Sequence, residues 1–241
     1  TSTDLHGARL IAQDGTELFK WDAPLGEMWT ETAIIPKPAD YSRAFVWKAQ
    51  IMPDGGLLLL YAIVGYTPYG GGMARIAMDG SVKWSLLNHI HHDFQILDDG
   101  TILTLDQRWN DNPPPLVDRA GSRVMEDFIL YVDPATGEIQ REISLLEAAQ
   151  GTGFEWLYDG DSPRSTWDIS HANSVRPLSA EQASHLSGSQ EGDLLLKRHL
   201  RYAPLTRLIN QSDQRKSLTL AVQALLRDPL AEAVSVVNFR P

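Results

Sequence analysis

The sequence predicts a mainly β fold, a β-propeller-like repeat of antiparallel blades, and three observations predict it. Asp-Gly turns stand at Asp14-Gly15, Asp54-Gly55, Asp79-Gly80 and Asp99-Gly100. The runs around them have strand length and are rich in Leu, Ile and Val. The order of turn, buried strand, loop, strand, Asp-Gly-type turn, strand returns with a period of roughly 40 to 55 residues, the range of a propeller blade. One blade cannot cover both faces of its sheet, so neighbours must stack against it, and about three copies build only a fraction of a ring. An up-and-down β-sandwich with several hairpins is the competing architecture. The repeated internal order favours the propeller.

The elements follow in order. Gly7 to Trp21 reads as strand, Asp-Gly turn, strand ending in Trp. Asp-Gly between apolar runs predicts a type I′ turn, whose two central residues both need positive φ. Leu57 to Leu60, after Asp54-Gly-Gly, reads as a buried strand, and Met73 to Trp84 repeats the first phrase. Asp99-Gly100 opens another strand through Leu105, and Phe128 to Gln140 carries the same grammar with a longer turn. Asn110 to Leu116 contains three prolines, which fix φ and remove donors, so a loop is expected. Gly151 to Ser165 reads as a second long loop, and loops of that length in compact domains are commonly functional. Leu145 to Ala149 predicts a short helix. From about Arg201 the pattern changes. Gln211 to Arg227 has no Gly and sets Leu218, Ala221, Val222 and Leu225 on one helical stripe, with Ser212 or Asp213 as cap. Pro229 to Val237 suits helix or strand. The division expected is a partial propeller over 1–200 and a divergent, helical C-terminal segment over 201–241.

Composition narrows the function. Of the 241 residues, 43% are hydrophobic and 22% charged, ordinary values for a chain that buries a core. A net charge of −10 argues against nucleic-acid or anionic-membrane partners, which need clustered Lys and Arg. With no Cys, disulfides, thiolate metal sites and cysteine nucleophiles drop out. No apolar run approaches the roughly 20 residues that span a bilayer. The chain opens on Thr-Ser-Thr-Asp without a Met, which reads as a mature or trimmed start.

The densest chemistry lies at His89-Ile-His-His-Asp93. On a regular strand His89, His91 and Asp93 would share one face and His92 the other. His-x-His-x-Asp on one face suits a divalent metal; pairing of these side chains with backbone or acids is the structural alternative. A second phrase, His171-Ala-Asn-Ser-Val-Arg-Pro-Leu178 onward to Gly192-Asp-Leu-Leu-Leu-Lys-Arg-His199, lays His171 against His92 and sets Arg198 where the first copy carries Arg108. Equivalent blade positions face one axis, so His92, His171 and a strand-borne Arg would converge. Imidazoles with a guanidinium suit an oxyanion such as sulfate, phosphate or carboxylate.

His91-His92-Asp93 with its Asp-Gly strand, Trp167-Asp-Ile-Ser-His-Ala-Asn-Ser-Val175 and Leu194-Leu-Leu-Lys-Arg-His199 resemble the bacterial arylsulfotransferases of the aryl-sulfate sulfotransferase type, over about residues 5 to 200. The resemblance implies an exported, periplasmic or secreted, six-bladed propeller whose axis binds an aryl sulfate. It implies transfer of a sulfuryl group to a phenolic acceptor through a sulfated histidine, with no nucleotide donor, cofactor or metal. It implies His92, His171 and Arg198 as catalytic residues, and His91, Asp93, Asn173, Arg108 and Trp167 as substrate-binding ones. Loose sulfuryl transfer places charge on the peripheral oxygens and the departing phenolate, which guanidinium and imidazole donors stabilise. Trp167 and Phe94 are candidate walls for an aromatic ring, with core packing as the alternative for each.

Two departures from the family pattern keep a second reading open. The family's nucleophilic histidine lies on a later blade, whereas no His follows His199 here, and Ser179 to Gln190 is an insertion. The enzyme is therefore expected to be impaired, or the chain to be a non-catalytic propeller-type domain binding an anionic or aromatic ligand or a protein. Open blade edges are expected to favour self-association.

Overall fold

The Asp-Gly grammar folds into antiparallel sheets, with a tight turn at Asp14-Gly15, Asp54-Gly55, Asp79-Gly80 and Asp99-Gly100. The computed structural model describes residues 7–37, 43–113, 123–150, 168–169, 171–185, 189–198 and 234–236, with 196–198 and 234–236 described by backbone alone. The chain divides into one unit of Thr1–Arg108 with Leu130–Glu142 and another of Trp109–Ile129 with Ile143–Pro241. The first unit opens with the hairpin β1 (Ala8–Ile11) and β2 (Glu17–Trp21), then α1 (Leu25–Met28). A four-stranded meander follows, β3 (Ala44–Ile51), β4 (Leu57–Ile63), β5 (Gly71–Ile76) and β6 (Val82–Leu86). A second meander has β7 (Ile90–Ile96), β8 (Ile102–Asn110), β9 (Val124–Val132) and β10 (Ile139–Ser144) in sequential order. The second unit continues with α2 (Leu145–Ala149), β11 (Ala172–Pro177), α3 (Ala180–Ser184), β12 (Leu194–Arg198) and β13 (Val234–Val236), its strands ordered β11-β12-β13.

β4 explains the Leu57-Leu-Leu-Leu-Tyr61 run. Successive side chains on a strand point to opposite faces, so an unbroken apolar run needs cover on both. Leu57, Leu59, Tyr61 and Ile63 join Trp21, Leu25, Met28 and Ile35 in one core. Leu58 and Leu60, on the other face, are also fully buried, and β7 packs against β4 and β5.

The turns correct the type I′ expectation. In each Asp-Gly turn the glycine alone takes positive φ: Gly15 at 88°, Gly55 at 80°, Gly80 at 87° and Gly100 at 90°. Gly15 N donates to Ala12 O at 2.9 Å while Ala12 N donates to Thr16 O at 2.8 Å, and the same pair of bonds recurs at 52–56, 77–81 and 97–101. That is a type I turn followed by a left-handed glycine bulge. The aspartate selects it, because its carboxylate accepts the N–H two residues on. Asp14 receives Thr16 N at 2.9 Å, Asp54 Gly56 N at 3.2 Å, Asp79 Ser81 N at 3.0 Å and Asp99 Thr101 N at 2.9 Å.

The tryptophans that end the repeated phrase are latches. Trp21 Nε1 donates to Gly55 O, and Trp84 Nε1 to Pro134 O, each at 3.0 Å. The β9–β10 turn needs Gly137 beneath Trp84, since a Cβ there would lie 2.6 Å from the ring. Asp54 also pairs with Lys83 at 2.6 Å and with the buried Arg75, tying the β3–β4 turn to β5 and β6.

In the second unit α2 forms where expected, with the Ser144 hydroxyl accepting Glu147 N at 2.9 Å. The Ser179–Gln190 insertion holds α3, opened by a capping box between Ser179 and Gln182. Val234 to Val236, left open between helix and strand, pairs with Leu195 to Lys197 as β13. Asn110, assigned to a loop with the prolines that follow it, is instead the last residue of β8. The helix expected at Gln211 to Arg227, the loop from Gly151 to Ser165, His199 and Trp167 lie outside the described residues.

Candidate active site: two histidine bulges

Each unit carries one strand bulge with a left-handed histidine in it or close by: His92 lies within the bulge of the first unit, and His171 stands just before β11, two residues from the bulge of the second. Among the described residues, His92 (φ 60°) and His171 (φ 41°) are the non-glycine residues with positive φ. For an L-residue that conformation costs about 1–2 kcal/mol.

In the first unit, His91 stands opposite Leu105 and Phe94 opposite Thr104. Leu105 and Thr104 are adjacent, so His92 and Asp93 bulge out of the ladder between them. The bulge corrects the expected alternation of faces. His91 Nδ1 lies 2.6 Å from His92 Nδ1, and the rings meet edge to face at 4.9 Å. One nitrogen must donate and the other accept, so the two rings share a single proton there. His91 is buried, while His92 meets the edge of Trp47, which is 53% exposed, at 5.8 Å. Asp93 fastens the bulge. Its Oδ1 accepts from Lys48 Nζ at 2.8 Å and Phe94 N at 2.9 Å, and its backbone oxygen accepts from the Thr104 hydroxyl at 2.8 Å. Lys48 sits 4.3 Å above the ring of Phe94, which is fully buried and serves as core.

His89 is set apart from that pair. Burial pushes its pKa below the ordinary imidazole value; a hydrogen bond to the Pro68 carbonyl opposes the shift and the nearby His91 adds to it. Its Nδ1 has no hydrogen-bond partner among the described residues. Gly70, at φ 117°, passes so close that a Cβ would fall 2.4 Å from the Ile90 carbonyl oxygen. Arg108 donates from Nε to Asp106 at 2.6 Å and from Nη1 to Glu142 at 2.9 Å, so two carboxylates engage its guanidinium.

In the second unit, Ala172 pairs with Arg198 and Ser174 with Lys197, which leaves Asn173 as the extra residue of the β11 bulge. The backbone of Arg198 thus stands at the same end of the hairpin as His171. Asn173 Oδ1 is buried with no hydrogen-bond partner among the described residues. His171 Nδ1 lies 2.5 Å from Asp168 Oδ2, and Ala172 N donates to Asp127 Oδ2 at 2.7 Å. Asp168 also forms a parallel bridge to Met125 on β9.

Sequence reasoning passed over Trp47, Lys48 and Asp168. Asp168 had a signal, standing three residues before His171 inside the same motif; Trp47 and Lys48 lie on β3, with nothing local to tie them to His92 and Asp93. Among the described residues no three His, Asp or Glu side chains are grouped to hold a metal ion, so His89, His91 and Asp93 do not form a ligand set.

Antiparallel sheets with a few short helices, and a histidine in left-handed backbone at or beside each of two strand bulges, define a mainly β protein. The family model described as Arylsulfotransferase (ASST) matches residues 69–214, well over half of the sequence and including both bulges and Arg198, and the chain belongs to that family. No curated protein and no solved structure matches it. Among the described residues no helix is long and apolar enough to cross a membrane.

Proposed function

We propose that the chain transfers a sulfuryl group from an aryl sulfate to a phenolic acceptor without a nucleotide donor, as an exported protein on a β-propeller scaffold. The observation that carries this reading is the shared backbone signature of His92 and His171. Both head equivalent phrases of a sequence in the arylsulfotransferase family, and both are held in a conformation that folding alone would avoid. Backbone strain of this kind collects where a side chain must be aimed. Two successive four-stranded meanders have the strand order of propeller blades, which supports the scaffold. Arg198 supplies the charge that offsets the sulfuryl oxygens, and His92 and His171 act as donors to them or to the departing phenolate. His91, Asp93, Asn173, Arg108 and Trp167 are the proposed substrate-binding residues. Asp93 and Arg108 are each engaged by groups of opposite charge, which fixes their place among the residues proposed to meet the substrate.

The test is incubation with a chromogenic phenyl sulfate and a phenol, without nucleotide. Release of coloured phenol matched by sulfated acceptor is expected. No release, together with no sulfated protein by intact mass, overturns the enzyme reading in favour of a non-catalytic binding domain. Full activity in His92→Ala or Arg198→Ala would overturn the residue assignment.

A further inference from the structure

His171 is held from two sides by acids of its own unit. Asp168 takes the ring, with 2.5 Å between Oδ2 and Nδ1, and the side chains of Asp168 and His171 are 9% and 18% exposed. Asp127, fully buried on β9, takes the backbone by accepting Ala172 N at 2.7 Å, one residue after the left-handed φ. Asp168 is itself anchored to the same strand through Met125. A carboxylate accepts hydrogen bonds only, so at Asp168 the imidazole must be the donor. The proton therefore sits on Nδ1, and the tautomer of a histidine is set by the bond its other nitrogen makes.

We infer that Asp168 is a positioning residue for His171, holding the Nδ1–H tautomer so that Nε2 is the reacting nitrogen, while Asp127 keeps the backbone turned to aim it. In its neutral form the ring accepts a phenol proton at Nε2. In its charged form it donates Nε2–H to an anionic oxygen, and Asp168 stabilises the cation, the division of labour of an acid–histidine dyad. The inference about rate rests on the sulfuryl-transfer reading; the inference about tautomer does not.

Asp168→Asn tests it, because the amide N–H can donate to Nδ1 and drive the proton to Nε2. Imidazole nitrogen NMR of the full chain is expected to report Nδ1–H at His171 in the parent and Nε2–H in D168N. With a phenyl sulfate donor, kcat is expected to fall at least about 100-fold, with KM changed little. D168E keeps a carboxylate and is expected to retain the parent tautomer and recover some of the rate, which guards against a folding defect in D168N. An unchanged tautomer in D168N, or an unchanged kcat beside an active parent, overturns the inference. A switched tautomer with neither protein turning over aryl sulfate supports the pairing and overturns the reaction reading instead.

Discussion

At the scale of single residues, strain and charge make separable predictions. His92 pays for its left-handed φ of 60° with backbone energy that glycine would not incur. His92→Gly is therefore expected to keep or raise the unfolding free energy from urea melts, by up to about 1 kcal/mol, while lowering sulfuryl transfer at least about 100-fold. A lowered midpoint with unchanged rate would make the bulge merely structural. His89 gives the pH dependence. Burial holds its folded pKa below the ordinary 6.5, so below that pH the unfolded chain binds the proton more readily than the folded one. Its contribution to stability is complete above about pH 6.5 and is lost as pH falls through the folded value. Urea melts of the parent should weaken between about pH 7.5 and about pH 5.5, and His89→Gln should lessen that loss. The histidines themselves were legible from their density in the sequence. Their directions were not, because a two-residue bulge at His92 and Asp93 breaks the period on which any reading of faces depends.

At the scale of elements, the Trp latch is the sharpest target. Trp84→Phe removes the indole donor to Pro134 O and is expected to cost about 1 kcal/mol; Trp84→Ala, which also empties the space over Gly137, about 3–5 kcal/mol. Denaturant melts with unchanged slope would confirm a loss of stability rather than of compactness. The strands around Asp14, Asp54, Asp79 and Asp99 could be read from the sequence because turn chemistry is local. The turn type was misread, since the dipeptide fixes where φ turns positive but the aspartate's own hydrogen bond decides that only the glycine does so. Similarly, the bond between Trp21 and the Gly55 carbonyl spans 34 residues, beyond any window in which periodicity speaks.

At the scale of the whole molecule, the charge of −10 bears on an anionic donor. Such a field repels aryl sulfate at a distance and is screened within about 8 Å at physiological salt. KM for the sulfate donor is expected to fall as ionic strength rises, while KM for a neutral phenol stays level. A donor KM that rises with salt would point to a locally positive approach to the site. The sequence pattern declared sheets and their order along the chain, and the family resemblance supplied a candidate reaction. What it could not supply was the pairing of Lys48 with Asp93 or of Asp127 with Ala172, because those contacts join residues 45 apart through the fold.

The Asp-Gly turns also bear on how long a molecule lasts. In open chains this dipeptide ages by attack of the following amide nitrogen on the aspartyl carboxyl, giving a cyclic imide and then an isomerised backbone. Here the vulnerable nitrogens of Gly15, Gly55, Gly80 and Gly100 are each engaged with a carbonyl across the turn, and the neighbouring carboxylates are held by the next N–H. The bonds that shape the hairpins thus hold both reactants away from each other. Chemical ageing at these four sites should therefore track unfolding, and each of these dipeptides should stay intact in the folded protein far longer than in its own tryptic peptide.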